Sequence, residues 1–186
     1  MIFNRRSELQ GKHAFLSPST YHWINYTDQK LEARYISAMA SRRGTDIHAL
    51  AHEAIRLGIK LSKSNKSLAT YVNDAIGYKM TAEQNLYYSD NCFGTADTIS
   101  FRRQKLRIHD LKTGLAPTSV KQLEVYAALF CLEYSFSPFD IEIELRIYQG
   151  EDVRVYFPDP EVIMHIMEVI VDFDLKIEAM KEEDRW

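Results

Sequence analysis

The amino-acid sequence predicts an α/β (α+β) domain of about five strands, and three observations carry that prediction. Apolar residues recur at helical spacing before residue 80 and after residue 159. Between residues 84 and 112 the texture changes to aromatic and branched residues with short polar breaks. No repeat, low-complexity tract or Pro/Gly-rich linker divides the 186 residues, so one domain spanning 1–186 is expected.

The elements follow in order. Ile47, Leu50, Ala51, Ala54, Ile55 and Ile59 mark a helix over 46–61, with Thr45 or Asp46 as its N-cap after Gly44. Leu68, Val72 and Ile76 fall four apart in a second helix over about 67–80. Strands are expected over 85–88, 92–101 and 105–112, the last two joined as a hairpin through Arg102, Arg103 and Gln104. Residues 119–134 return to helical spacing and end before Pro138. Ile141, Ile143, Leu145 and Ile147 alternate with Glu142, Glu144 and Arg146 as a half-buried strand, and a turn at 150–152 leads to a strand over 153–157. A final amphipathic helix over about 159–183 places Ile163, Ile166, Met167, Ile170, Phe173 and Ile177 on its buried side.

Composition narrows the class. Hydrophobic residues make up 46% and charged residues 26%, the balance of a globular chain, and no run approaches the roughly 18 apolar residues of a membrane span. The polar segment 1–12 does not resemble a signal sequence, so a cytoplasmic location is expected, in the host cytoplasm if the chain is phage-encoded. Two cysteines, Cys92 and Cys131, are too few for a disulfide framework or a four-thiolate metal site and are expected to be reduced. The net charge of −3 conceals a division: residues 1–121 carry net +8 and residues 122–186 net −11. The positive part includes Arg42, Arg43 and the dense group Arg102, Arg103, Lys105 and Arg107, a candidate phosphate-binding surface. The acidic third reads as solvated surface or a contact for a basic partner.

The central hairpin carries the chemistry. Alternation along a strand puts Leu106, Ile108, Asp110 and Lys112 on one face, so a carboxylate and an ammonium project side by side from the end of an apolar row. Pairing with the preceding strand can bring Asp97 to the same edge. Two carboxylates and the Leu111 carbonyl form a hard oxygen site suited to Mg²⁺ or Mn²⁺, beside which Lys112 can hold a phosphate oxygen or a water. Asp-x-Lys also occurs at Asp28-Gln29-Lys30 and Asp174-Leu175-Lys176, but only Asp110-Leu111-Lys112 falls on an expected strand. Only it is preceded by Gly94-Thr95-Ala96-Asp97 and followed by Thr113-Gly114 and a helix bearing Gln122 and Tyr126.

This set of linked elements resembles the PD-(D/E)XK nuclease superfamily, and within it the RecB-type and phage-type exonucleases. Gly44-Thr45-Asp46-Ile47-His48 matches the upstream Gly-Thr-x-x-His helix motif of the RecB-type branch. Leu16-Ser17-Pro18-Ser19 with Trp23-Ile24 is similar to that branch's opening segment. The resemblance spans about residues 16–127 and implies a restriction-endonuclease-like core, a mixed central β-sheet flanked by helices.

The resemblance further implies that His48, Asp97, Asp110 and the Leu111 carbonyl hold Mg²⁺ or Mn²⁺, and that Asp97, Asp110 and Lys112 are catalytic. Gln122 and Tyr126 would brace the site or meet the DNA backbone, and Arg42, Arg43, Arg102 and Arg103 are expected to guide that backbone in. His52 stands where the family often carries a glutamate, with Glu53 next to it, and His109 points to the opposite strand face from Asp110. The cysteines that hold an iron–sulfur cluster in many relatives have no counterpart, so no cluster is expected. The expected activity is metal-dependent hydrolysis of DNA, as an exonuclease on ends in recombination, repair or phage DNA metabolism. An endonuclease or junction-resolving nuclease, an RNA-directed nuclease and a non-catalytic DNA-binding subunit are the alternatives. The expected partner is DNA, as a double-stranded end or a single strand, with a homo-oligomer or a recombination protein as the candidate protein partners, and no membrane is expected.

Overall fold

In the computed structural model, residues 14–62, 66–114, 116 and 118–183 are described, without the side chains of Ala40, Arg42, Arg43 and Lys66. The polar segment 1–12 and the side chains of the Arg42/Arg43 pair lie outside that description. The chain divides into two compact units at Thr45/Asp46. In the first, Pro18–Asn25 forms a 3-10 segment whose Trp23 indole donates to the Ser17 carbonyl at 2.9 Å. This ties together the two ends of the Leu16–Ile24 motif.

Helix α1 runs Asp28–Leu57, so it begins 18 residues before the expected start at Asp46. Thr45 is no N-cap; its hydroxyl donates back to the Ser41 carbonyl at 3.2 Å, a bond made inside a helix. Residues 31–40, with Leu31, Glu32, Ala33, Arg34, Met39 and Ala40, are good helix formers, and a single interior glycine at 44 costs only about 1 kcal/mol. The helix ends earlier than expected because Gly58 adopts φ +69° and closes it, with Gly58 N–H to Ile55 O and Ile59 N–H to Ala54 O.

The second unit is an α+β domain built on a five-stranded mixed sheet in the order β1 (Thr81–Ser89), β2 (Cys92–Arg102), β3 (Lys105–Lys112), β4 (Glu142–Gln149), β5 (Asp152–Tyr156). Neighbours pair antiparallel except β3 and β4, which run parallel. That pair requires a crossover, supplied by α3 (Lys121–Tyr134). One core joins Leu106, Ile108, Leu145 and Ile147 of the sheet to Leu123, Ala127 and Phe130 of α3 and Ile163 of α4 (Pro160–Glu183). A second core, on the other face, joins Leu111 and Tyr148 to Ala51, Ala54 and Ile55 of α1 and Leu68, Tyr71 and Val72 of α2 (Lys66–Gly77).

Two expectations about burial fail. Leu50 and Ile59 are exposed rather than in the α1 core. On α4, Ile163 is fully buried and Ile166, Met167 and Ile170 pack against the core, but Phe173 is 57% exposed and Ile177 lies at the edge of exposure. The outer half of α4 is instead held by polar bonds, Asn91 Nδ2 to Asp174 Oδ1 at 2.8 Å and Lys181 Nζ to Asn91 Oδ1 at 2.6 Å.

Candidate metal and active site

Asp97 owes its position to a break in the strand. Ala96 and Ile99 belong to the same core although an odd spacing should put them on opposite faces, so the alternation fails between them. The β1–β2 ladder pairs Ala82 with Thr98 and Gln84 with Ala96 but omits Glu83 and Asp97, and Glu83 takes φ +52°. On its other edge, β2 pairs with β3 only as far as Thr98–His109. The next pair in that register is Asp97–Asp110, two carboxylates that would face each other directly, and there the ladder stops. Freed from both ladders, Asp97 turns its Oδ2 to accept the Leu111 N–H at 3.1 Å.

Helix α1 brings two histidines to this break. His48 Nδ1 lies 3.4 Å from Asp97 Oδ2, and His52, one turn further, sits 2.8 Å from Glu83 Oε2. His52 therefore partners the strained neighbour of Asp97. Glu53, in contrast, is bound by Arg56 on the exposed side at 2.6 Å and contributes nothing to the site.

Asp110 and Lys112 lie on the α3 side, as the alternation predicts. Lys112 Nζ bridges Asp110 Oδ1 at 3.0 Å and Gln122 Oε1 at 3.1 Å, and Gln122 Nε2 donates to the Tyr126 hydroxyl at 3.3 Å. The Asp110 side chain is only 5% exposed, and its Oδ2 has no hydrogen-bond partner. Burial, followed by the Asp97 charge, raises the Asp110 carboxyl above its ordinary range, with Lys112 and His48 acting against it.

The Gly94 and Tyr126 motifs meet physically: a Cβ at position 94 would stand 3.0 Å from Tyr126 Cε1, so any larger residue there forces the ring to shift. His109, on the opposite face, is fully buried against Tyr78 and Tyr148, and burial, then Arg146, pushes its pKa down to about 3. It is a neutral core residue outside the site.

Sequence reading missed two supports. Tyr71 on α2 bonds Thr98, and its ionisation is suppressed by burial, then by Asp97 and more weakly by Asp110; it continues the Leu68–Val72 stripe. Gln149 pairs with Lys112 across the parallel strands, and its Nε2 ties the following loop through the Gly114 and Ala116 carbonyls, each at 2.7 Å. That neighbour arises from pairing across 37 positions, for which no local signal exists.

Arg102 and Arg103 are not brought to the carboxylates. They occupy the turn end of the hairpin, and the five residue steps from Lys105 to Asp110 span about 17 Å of strand. Among the described residues, no group of three or more His, Cys, Asp or Glu side chains is set as a ready-made metal shell. The ligand candidates stand in two adjacent places, His48 with Asp97, and Asp110, which is paired with the Lys112 ammonium. They nevertheless suit a hard divalent cation: oxygen donors predominate, and a buried carboxylate oxygen lacks any other partner. In comparisons with known proteins, no family model matches the chain, and no curated protein matches it.

Proposed function

We propose that the chain is a metal-dependent nuclease that hydrolyses DNA phosphodiester bonds, with exonucleolytic action on ends as the leading form, and that its core is restriction-endonuclease-like. The observation that carries this reading is the interrupted β2–β3 ladder, which places a buried, unpartnered Asp110 oxygen beside Asp97 and Lys112. A buried acceptor without a partner costs stability, and a cation held between Asp97 and Asp110 would give this oxygen one.

In this reading Asp97, Asp110 and His48 would hold Mg²⁺ or Mn²⁺, with the Leu111 carbonyl as a further oxygen donor. When bound, the cation supplies positive charge against the negative charge that builds on the phosphoryl oxygens in the transition state. The residues of the chain set the rest. Lys112 commits two N–H groups to Asp110 and Gln122, which leaves one for the attacking water or a phosphate oxygen. Gln122, itself held by Tyr126, fixes the direction of that ammonium, so orientation is prepared before substrate arrives.

The test is a time course with Mn²⁺ or Mg²⁺ on an end-labelled linear duplex, a covalently closed circle and a four-way junction, with Asp110→Asn in parallel. Loss of the linear duplex alone, absent in the variant, supports the exonuclease. Cutting of the circle or junction selects the endonuclease form. Identical behaviour of native chain and variant would refute the assignment.

A further inference from the structure

A recess of about 360 Å³ lies at the turn end of the β2–β3 hairpin, far along the strands from the carboxylates. Lys79, Arg102, Arg103, Lys105 and Arg107 line it, against one lining carboxylate, Glu142. Lys105 is paired with Glu142 and the buried Glu144, and Arg107, whose Nε lies 3.4 Å from Glu144 Oε1, stands over the Tyr78 ring, 4.6 Å from its centroid. Among the described residues, Lys79, Arg102 and Arg103 have no anionic partner.

Backbone conformation shows how two of these cations can be removed cleanly. Arg103 and Gln104 form the two-residue turn with φ +53° and +58°, a geometry that favours Asn-Gly. Lys79 takes φ +53° at the cap of α2, where Lys79 N–H bonds Ile76 O and Met80 N–H bonds Ala75 O, a position that favours glycine. The same chain uses Gly58 at the equivalent cap of α1 and Gly150, φ +61°, in the β4–β5 turn. Two of the recess cations therefore stand in left-handed positions, as do Gln104 in the same turn, Glu83 beside Asp97 and Ser135 at the cap of α3. At Lys79 and Arg103 glycine or asparagine would relieve that strain, so both cations can be removed without loss of stability.

We propose that this recess is a phosphate-binding site separate from the cutting centre, which grips the nucleic-acid backbone about five base-pair steps from the scissile bond. The identity of its ligand rests on the nuclease reading; its chemistry, three uncommitted cations around a concave surface, does not.

The experiment measures binding of a labelled duplex of about 30 base pairs in EDTA, so that no cleavage occurs, from about 50 to 200 mM salt. The native chain is compared with a Lys79→Gly/Arg103→Asn double variant and with Lys79→Arg. The expected result is a fall in affinity of about tenfold in the double variant, a salt slope shallower by about 2, and a melting temperature equal to or above native. Lys79→Arg should bind like the native chain. Unchanged affinity and slope would overturn the proposal, as would a drop in melting temperature that accounts for the lost binding. Inorganic pyrophosphate is titrated alongside; if it binds as tightly as the duplex, the polynucleotide is not the ligand and the proposal falls. A native chain that binds through the recess but never cleaves would defeat the nuclease reading alone. A chain that cleaves yet shows no effect of the double variant would defeat the recess alone.

Discussion

The two ends of the β2–β3 hairpin are built from the same pair of strands and differ in every other respect. At the turn end the ladder is complete to Arg102–Lys105, the charge is positive, and strain lies in left-handed backbone at Arg103 and Gln104. At the open end the ladder stops before Asp97–Asp110, the charge is negative, and the cost lies in a desolvated carboxylate. An antiparallel pair tolerates both because its middle, Ile99 with Ile108 and Thr98 with His109, is buried and regularly paired. In the proposed reading one end gathers an anion and the other a cation.

The sharpest way to break that contrast is at the acidic end. Asp110→Asn, or Lys112→Gln, should lower Mn²⁺-supported cleavage by at least about 10²–10³-fold, the usual loss when a transition-state contact is removed. Because burial and Asp97 disfavour the Asp110 carboxylate, the metal-free Asn variant should melt at or above the native temperature near neutral pH. A calorimetric scan in EDTA checks the second half.

Between the two ends lies His109, whose pKa falls from 6.5 to about 3 in the folded chain. The unfolded chain takes up that proton below about pH 6.5 while the folded chain refuses it, so the stability is complete above pH 6.5 and is lost as pH falls towards 3, at about 1.4 kcal/mol per pH unit. Asp110, with its carboxyl raised, acts with the opposite sign. Urea unfolding of the native chain and His109→Gln over this range should show a shallower acid loss in the variant.

Gly94→Ala pushes a methyl against the Tyr126 ring, with an expected cost of about 1–3 kcal/mol and a loss of cleavage through the Gln122–Lys112 chain. Denaturation and rate measurements on the same preparation separate the two. The smallest effect serves as a control for the turn end: Ser135, at φ +57°, caps α3 without any cation role, so Ser135→Gly should stabilise by about 0.5–1 kcal/mol and leave duplex binding unchanged.

Much of this arrangement was legible in the sequence where a periodicity reports a local rule. Leu106, Ile108, Asp110 and Lys112 share a face as alternation requires, the order of helices and strands in the second unit is as expected, and Gln122 and Tyr126 meet one turn apart. What escaped reading depends on partners distant in the chain. The face change at Asp97 comes from the omitted pair with Glu83, and Gln149 reaches the loop after Lys112 only because β3 and β4 lie side by side. In the early half of α1 Leu31, Tyr35, Ala38 and Met39 do fall at helical spacing, but the glycine at 44 interrupts the pattern and so read as a boundary rather than an interior residue. Phe173 and Ile177 follow the helical period of α4, yet periodicity cannot tell whether the packed neighbour extends that far.

The central claim is that His48, Asp97 and Asp110 converge on one divalent cation. Anomalous diffraction at the manganese edge from Mn²⁺-soaked crystals tests it most directly. The account predicts a single strong peak within coordinating distance of the Asp97 and Asp110 carboxylates and the His48 imidazole, absent in Asp110→Asn crystals. No peak there at saturating Mn²⁺, or a peak that survives in the variant, would contradict it.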